Sequence, residues 1–269
     1  MKKITIILLL VLNIFSLSAA KMQVIEVSDE QEFVNALGSN RIVRIKNNSI
    51  INLSRVLSDP INNPNLAIED VFDGNQLNVI GLKNLTIEGA EGMPARLMVS
   101  PKYSYVLNFV NCDDITIRNL NAGHGPQRGY CTGGVFRFEN CNNIHIYGTF
   151  MYGCGTEGIT AFNVNNLECV DSHIKECSYS IMTLSDSKNI RFEGCQFYDN
   201  KKFSLVNITA GCAEIVFDNC LFYLNEGVLF YAEDGMSPAV TLSNCRIDHY
   251  DMIGIDEMNL INVEVTKRM

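Results

Sequence analysis

The stretches "CNNIHIYG" (residues 141–148), "VNNLECVD" (164–171) and "SKNIRFEG" (187–194) resemble one another, and that likeness decides the fold. Each has an apolar residue at its fourth and sixth positions, with His145, Glu168 or Arg191 between them. Alternation with period two describes a β-strand with one buried face. The same pattern recurs in "LKNLTIEG", "CDDITIRN", "CAEIVFDN", "PAVTLSN" and "MNLINVEV". Its first apolar column is Leu85, Ile115, Ile144, Leu167, Ile190, Ile215, Val240 and Leu260, in steps of 30, 29, 23, 23, 25, 25 and 20 residues. A second column follows two residues later: Ile87, Ile117, Ile146, Cys169, Phe192, Phe217 and Leu242.

Each unit holds two further strand-like runs. One lies upstream, with Phe136/Phe138, Ile159/Ala161 and Met182/Leu184 expected inward. The other is marked by Met151, Ile174, Phe197, Phe222 and Ile247, seven residues after the first column. Three short strands per unit, with polar turns and no intervening helical pattern, stack as coils of an all-β solenoid. The repeats, residues 80–265, predict about eight coils or more. The pattern resembles the right-handed parallel β-helix of the pectate lyase-like superfamily. A leucine-rich horseshoe is the rival, but its asparagine-centred leucine consensus is absent.

The flanks fit one β-helix domain over residues 21–269. "SDEQEFVNALGSN" predicts a short capping helix over 28–38, with Ser28 as N-cap, Gln31 three residues on and Gly38 at the stop. Such a helix covers the open edge of the first coil. Residues 58–76, rich in Asn, Pro and Asp, read as a polar loop. No cap is evident at "VEVTKRM", which leaves homo-oligomerisation through the C-terminal coil open.

Ten cysteines fall on the repeat rather than in ligand-like clusters. Cys112, Cys141 and Cys212 form one column, Cys195, Cys220 and Cys245 continue Thr149 and Ser172, and Cys131, Cys154 and Cys177 lead into Asn200 and Asn225. Neighbouring coils lie about 4.8 Å apart, whereas disulfide Cβ atoms prefer about 3.5–4.5 Å. Buried thiols are therefore expected, with disulfides as the alternative. No metal site and no cofactor is indicated. Asn111, Asn140 and Asn163, and Asn143, Asn166 and Asn189, read as stacked amide ladders.

At the N-terminus, Lys2 and Lys3 precede the apolar run Ile4–Leu12 and then Ser18-Ala19-Ala20. This describes a secretory signal peptide, residues 1–20, cleaved after Ala20. The run is short for a membrane span, so no transmembrane anchor is expected after cleavage. The expected location is secreted or periplasmic. The formal charge of −9 becomes −11 without the two leader lysines, which argues against nucleic acid or an anionic membrane as partner.

Candidate chemistry lies in the loops and on outward positions. Gly123-His124-Gly125 and the upstream Asp113-Asp114 match parts of the polygalacturonase-type pattern. The Asn-Thr-Asp motif is absent, and Arg44-Ile45-Lys46 precedes the histidine instead of following it. The calcium-binding aspartate set of pectate lyase-type elimination does not recur on adjacent coils. His124 with Arg128 and Tyr130 could serve another lyase as base and neutralising groups, with Arg137 a further candidate. Tyr103, Tyr105 and Tyr130 offer aromatic surface for sugar rings, beside the outward column Asn108, Arg137 and Thr160. His145, Glu168 and Arg191 form either an acid–base group or a solvated face. The reading is a glycan-binding or cell-envelope-associated module. A polysaccharide lyase or glycoside hydrolase near residues 121–134, and a structural or adhesive solenoid, are the alternatives.

Overall fold

The computed structural model describes residues 22–58, 60–92, 94–125, 128–129, 131–153, 155–209, 211–233, 239–248, 251–255 and 258–266. The leader segment lies outside them. Three sheets of ten, nine and nine strands, parallel except for one edge hairpin, wind around one core. Sheet A carries the repeat read first, with Asn142–Tyr147 between Asp113–Arg118 and Asn165–Val170. Its register pairs Ile144 with Ile115 and Leu167, so the sequence columns are physical stacks. Sheet B includes Leu120–His124, Phe150–Tyr152 and His173–Lys175. Sheet C includes Leu107–Val110, Phe136–Glu139, Ile159–Phe162 and Met182–Ser185.

The inward residues are sealed from water: Phe136, Phe138, Ile159, Ala161, Met182 and Leu184 are all fully buried. Aromatic rings continue the stacking between coils, as where Phe192 and Phe217 lie 4.9 Å apart and nearly parallel. Burial of one such side chain contributes roughly 1.5–3 kcal/mol.

The corners explain the polar columns. Between sheets A and B the chain turns on a single left-handed residue: Asn119, Gly148, Asp171, Gly194, Asn219 and Asn244, with φ between 47° and 62°. Between sheets C and A the same role falls to Asn111, Asn140, Asn163 and Asp186. Asparagine, aspartate and glycine tolerate this conformation where other side chains clash. The amide ladders form as well, Asn163 Nδ2 donating to Asn140 Oδ1 (2.8 Å) and Asn166 Nδ2 to Asn143 Oδ1 (2.9 Å). Asn189 instead donates to Asn165, one residue off the expected rung.

Among the described residues, eight cysteines are free thiols. Cys141, Cys220 and Cys245 each donate to a carbonyl of the preceding coil, that of Phe109, Phe192 and Phe217 respectively. In the third column Asn200 Oδ1 accepts from the Cys177 backbone N–H, and Asn225 Oδ1 from that of Asn200. The thiol expectation fails at Cys131, which is disulfide-bonded. The coil-spacing argument applies to paired strands, and Cys131 lies in the loop between Leu120–His124 and Phe136–Glu139. Cys154 lies outside the described residues.

Two flanking elements differ in detail from expectation. The capping helix spans Glu30–Ala36, and its N-cap is Asp29, whose side chain accepts from the Glu32 N–H. Glu32 reaches back to the Ser28 N–H and hydroxyl, so Asp29 and Glu32 form the capping pair one residue later than Ser28 and Gln31. Residues 66–76 are not loop. Leu66–Val71 and Gly74–Ile80 form an antiparallel hairpin on the edge of sheet C, turning at Phe72-Asp73. Leu66 and Ile68 pair with Val79 and Leu77, which alternate into the core, and this apolar face outweighs the segment's polarity. At the other end, Leu260, Ile261 and Val265 on the last described strands are exposed.

Candidate functional site

Across residues 107–198 short corners close two sides of each coil, so extra chain length there collects on the third, between sheets B and C. The loops at 100–106, 125–135, 153–158 and 176–181 all enter the N-terminal edge of sheet C. Just beyond them, parallel register places one outward side chain per coil in a row: Asn78, Asn108, Arg137, Thr160, Thr183 and Asn207. Of the residues expected at a ligand site, Tyr105, Asn108, Arg137 and Thr160 meet here.

Hydrogen bonds join the row on either side of Arg137, which itself bonds only Glu139 among the described residues. Asn78 Oδ1 accepts from Gln76 and from Asn108, while Glu69 accepts from Gln76 and Asn78. Arg137 pairs with Glu139 at 2.9 Å, and its guanidinium carbon lies 5.8 Å from the Tyr105 ring centre. The Tyr105 phenol is 3.0 Å from Thr160 Oγ1. Asn108 Oδ1 and Arg137 Nε are buried and have no partner among the described residues. Unpaired buried polar atoms are rare in folded proteins, and where they occur they mark places to look for function.

At the centre is a residue that sequence reading missed. Glu157 accepts from the hydroxyls of Thr160 (2.6 Å), Ser180 (3.1 Å) and Thr183. Burial raises its pKa above the ordinary carboxylate range, and hydrogen bonds from Thr160, Thr183, Ser180 and Tyr105 oppose that shift. The Tyr105 phenol is pushed up to about 12, first by burial and then by the Glu157 charge. It therefore holds its proton at neutral pH. Glu157 stands two residues before Ile159, in a loop outside the apolar columns. Only the glycine-rich setting "CGTEG" could have flagged it.

The remaining candidates lie elsewhere. His124 belongs to the alternation Leu120, Ala122, His124 and faces inward, 3% exposed. Its Nε2–H donates to the Ser104 carbonyl at 2.8 Å, which leaves Nδ1 unprotonated and without a partner among the described residues. Burial lowers its pKa, so the ring is neutral. Gly155 makes room for it: a Cβ there would stand 1.8 Å from the Gly133 carbonyl oxygen and 3.1 Å from His124 Cε1. Arg128 crosses two coils to bond the Asp199 carboxylate (2.9 Å), the Asp199 carbonyl and the Cys177 carbonyl (3.3 Å). With the Gly129 N–H donating to Ser178 Oγ, it straps its loop over the neighbouring coils. Tyr103 sits at the end of the row, 5.0 Å from Phe72. Tyr130 lies outside the described residues.

On sheet A the polar column is a chain of local pairs. Glu168 accepts from Tyr147 (2.7 Å) and contacts His145 (3.3 Å), while Arg191 turns to Glu193 and Asp218. The expected acid–base group therefore lacks its arginine.

Residues 67–247 match the family described as right-handed beta helix region, and the chain belongs to that family. No curated protein sequence matches. Among solved structures, the chain is similar to an alginate lyase from Paenibacillus sp. str. FPU-7. The TM-score is 0.57 at 10% identity, covering 92% of this chain and 98% of that one. It is also similar to a pectate lyase from Paenibacillus sp. 0602, with a TM-score of 0.54 at 12% identity, covering 85% and 71%. At identity this low the structural likeness shows the shared fold alone.

Proposed function

We propose that this member of the right-handed β-helix family is an extracytoplasmic glycan-binding module whose ligand lies on the outward face of sheet C. The observation that carries the reading is the row Asn78–Asn108–Arg137–Thr160–Thr183–Asn207. Amides, hydroxyls and one guanidinium recur coil by coil, which suits a polymer that repeats its own hydroxyls. The leader residues Lys2, Lys3 and Ser18-Ala19-Ala20 support export. Affinity-gel electrophoresis and calorimetry on a panel including alginate and polygalacturonate test the proposal. Arg137→Ala and Asn108→Ala should each weaken binding about tenfold or more, as for truncation of a central polar contact. No binding to any polymer, or wild-type affinity in both variants, overturns it.

A lyase is the second reading, favoured by Glu157 and Tyr105 beside Arg137 and by structural neighbours that are themselves polysaccharide lyases. Perturbed acids cluster at catalytic sites. A phenol that keeps its proton at neutral pH suits the protonation of a leaving oxygen, and Arg137 suits the neutralisation of a sugar carboxylate. Ultraviolet detection of unsaturated sugar from the same panel tests it. Activity lost in Tyr105→Phe with binding retained supports this second reading, and no product from any polymer removes it.

A further inference from the structure

Two surface aromatic pairs stand on the loop edge of sheet C, in coils near the two ends of the polar row and four to five residues ahead of it. At one end Phe72, 88% exposed at the tip of the edge hairpin, packs against Tyr103 with ring centres 5.0 Å apart. At the other, Phe203, 62% exposed, stacks on Tyr179 at 5.8 Å and 7°. Register places both at the loop edge of sheet C. Tyr103 precedes Leu107 by four residues, and Tyr179 and Phe203 precede Met182 and Val206 by three. Leu107, Met182 and Val206 occupy one stacked column. Between the pairs lie Tyr105, Glu157 and Ser180, where the loops meet the row.

Phe72 and Phe203 are large apolar side chains whose exposure core packing does not require. The first pair is also held in place. Asp73, next to Phe72, accepts from the Lys102 and Tyr103 backbone N–H groups at 2.7 and 3.2 Å. Held rings lose little freedom when a ligand arrives. From the strand after Tyr103 to the strand after Tyr179 is three coil steps, and from the hairpin strand to that of Phe203 is five. At about 4.8 Å per step the inner separation is about 14 Å and the outer about 24 Å.

We infer that the two aromatic pairs are the end platforms of the ligand track, so that the protein selects glycan chains long enough to reach both. The chain runs along the solenoid axis, its middle sugars on Asn108, Arg137, Thr160 and Thr183. Its end sugars lay their apolar faces on Phe72/Tyr103 and Tyr179/Phe203. The inference rests on the glycan-binding reading and adds to it a minimum chain length.

Calorimetry with size-fractionated oligouronates, from disaccharide to octasaccharide, tests this with the full-length mature protein. Affinity should rise steeply once the chain can bridge both pairs. Phe72→Ala and Phe203→Ala should each cost a long oligomer about tenfold, as for loss of one aromatic contact. A trisaccharide should bind these variants as it binds the wild type. Both residues are on the surface, so folding is not at stake. Affinity that stays level beyond the trisaccharide, or wild-type binding of long oligomers by both variants, overturns the inference while leaving glycan binding intact. Failure of the wild type to bind any oligomer or polymer removes the glycan-binding reading and this inference together.

Discussion

Glu157 offers the most direct test of the sheet C cluster. The residue is only 7% exposed and three hydroxyls point at its carboxyl group. Burial outweighs those hydrogen bonds and raises its pKa above the ordinary 4.5. The folded protein therefore keeps this proton to higher pH than the unfolded chain does. The stability it confers is fully present below the unfolded value and is lost as pH rises through the folded one. One proton sets a limiting slope of about 1.4 kcal/mol per pH unit. Glu157→Gln preserves shape and hydrogen-bonding capacity but cannot titrate. Urea unfolding of both proteins at a series of pH values, followed by circular dichroism, isolates the group as the difference between the two stabilities. Wild-type stability relative to the variant should fall by about 1.4 kcal/mol per pH unit just above 4.5 and then level off. A difference that is flat or rises with pH refutes the reasoning, because the carboxyl would then titrate at or below its ordinary range.

Four further outcomes follow from particular contacts. Phe217→Ala, which removes a buried ring stacked 4.9 Å from Phe192, should cost about 3–5 kcal/mol in denaturant unfolding; a loss near zero would mean the ring stack is not a packed core. Asn163→Ala forces alanine to φ 51° and should cost about 1–2 kcal/mol, whereas Asn163→Gly should recover most of the backbone part; equal midpoints for the two variants would show that the left-handed corner carries no strain. Thiol titration of the denatured, unreduced protein should count eight reactive groups, and a count of all ten cysteines would disprove the disulfide at Cys131. His124→Ala, a change in a buried position, should lower stability by about 1–3 kcal/mol yet leave polysaccharide affinity unchanged; a lost affinity in a stably folded variant would return His124 to the site.

The repeat was legible because its causes are local. A period-two alternation recurring every 23–30 residues can be buried only by stacking coil on coil, and that alone predicts the columns through Ile144, Leu167 and Ile190. The same alternation, followed from Leu120 through Ala122, already turns His124 inward, although its glycine neighbours suggested an exposed site. The row Asn108, Arg137 and Thr160 was equally readable, since outward positions are set by parity within a strand.

Sequence alone thus determined the solenoid, its inward columns and the strand face that could hold a ligand, because strand parity and spacing are properties of neighbouring residues. Which loop residues join that face is set by contacts between stacked coils. Arg128 bonds Asp199 across 71 positions of sequence, and Glu157 finds Ser180 and Thr183 across 23 and 26. Loops lack a period, and their course is set by contacts between coils that exist only once the coils have stacked.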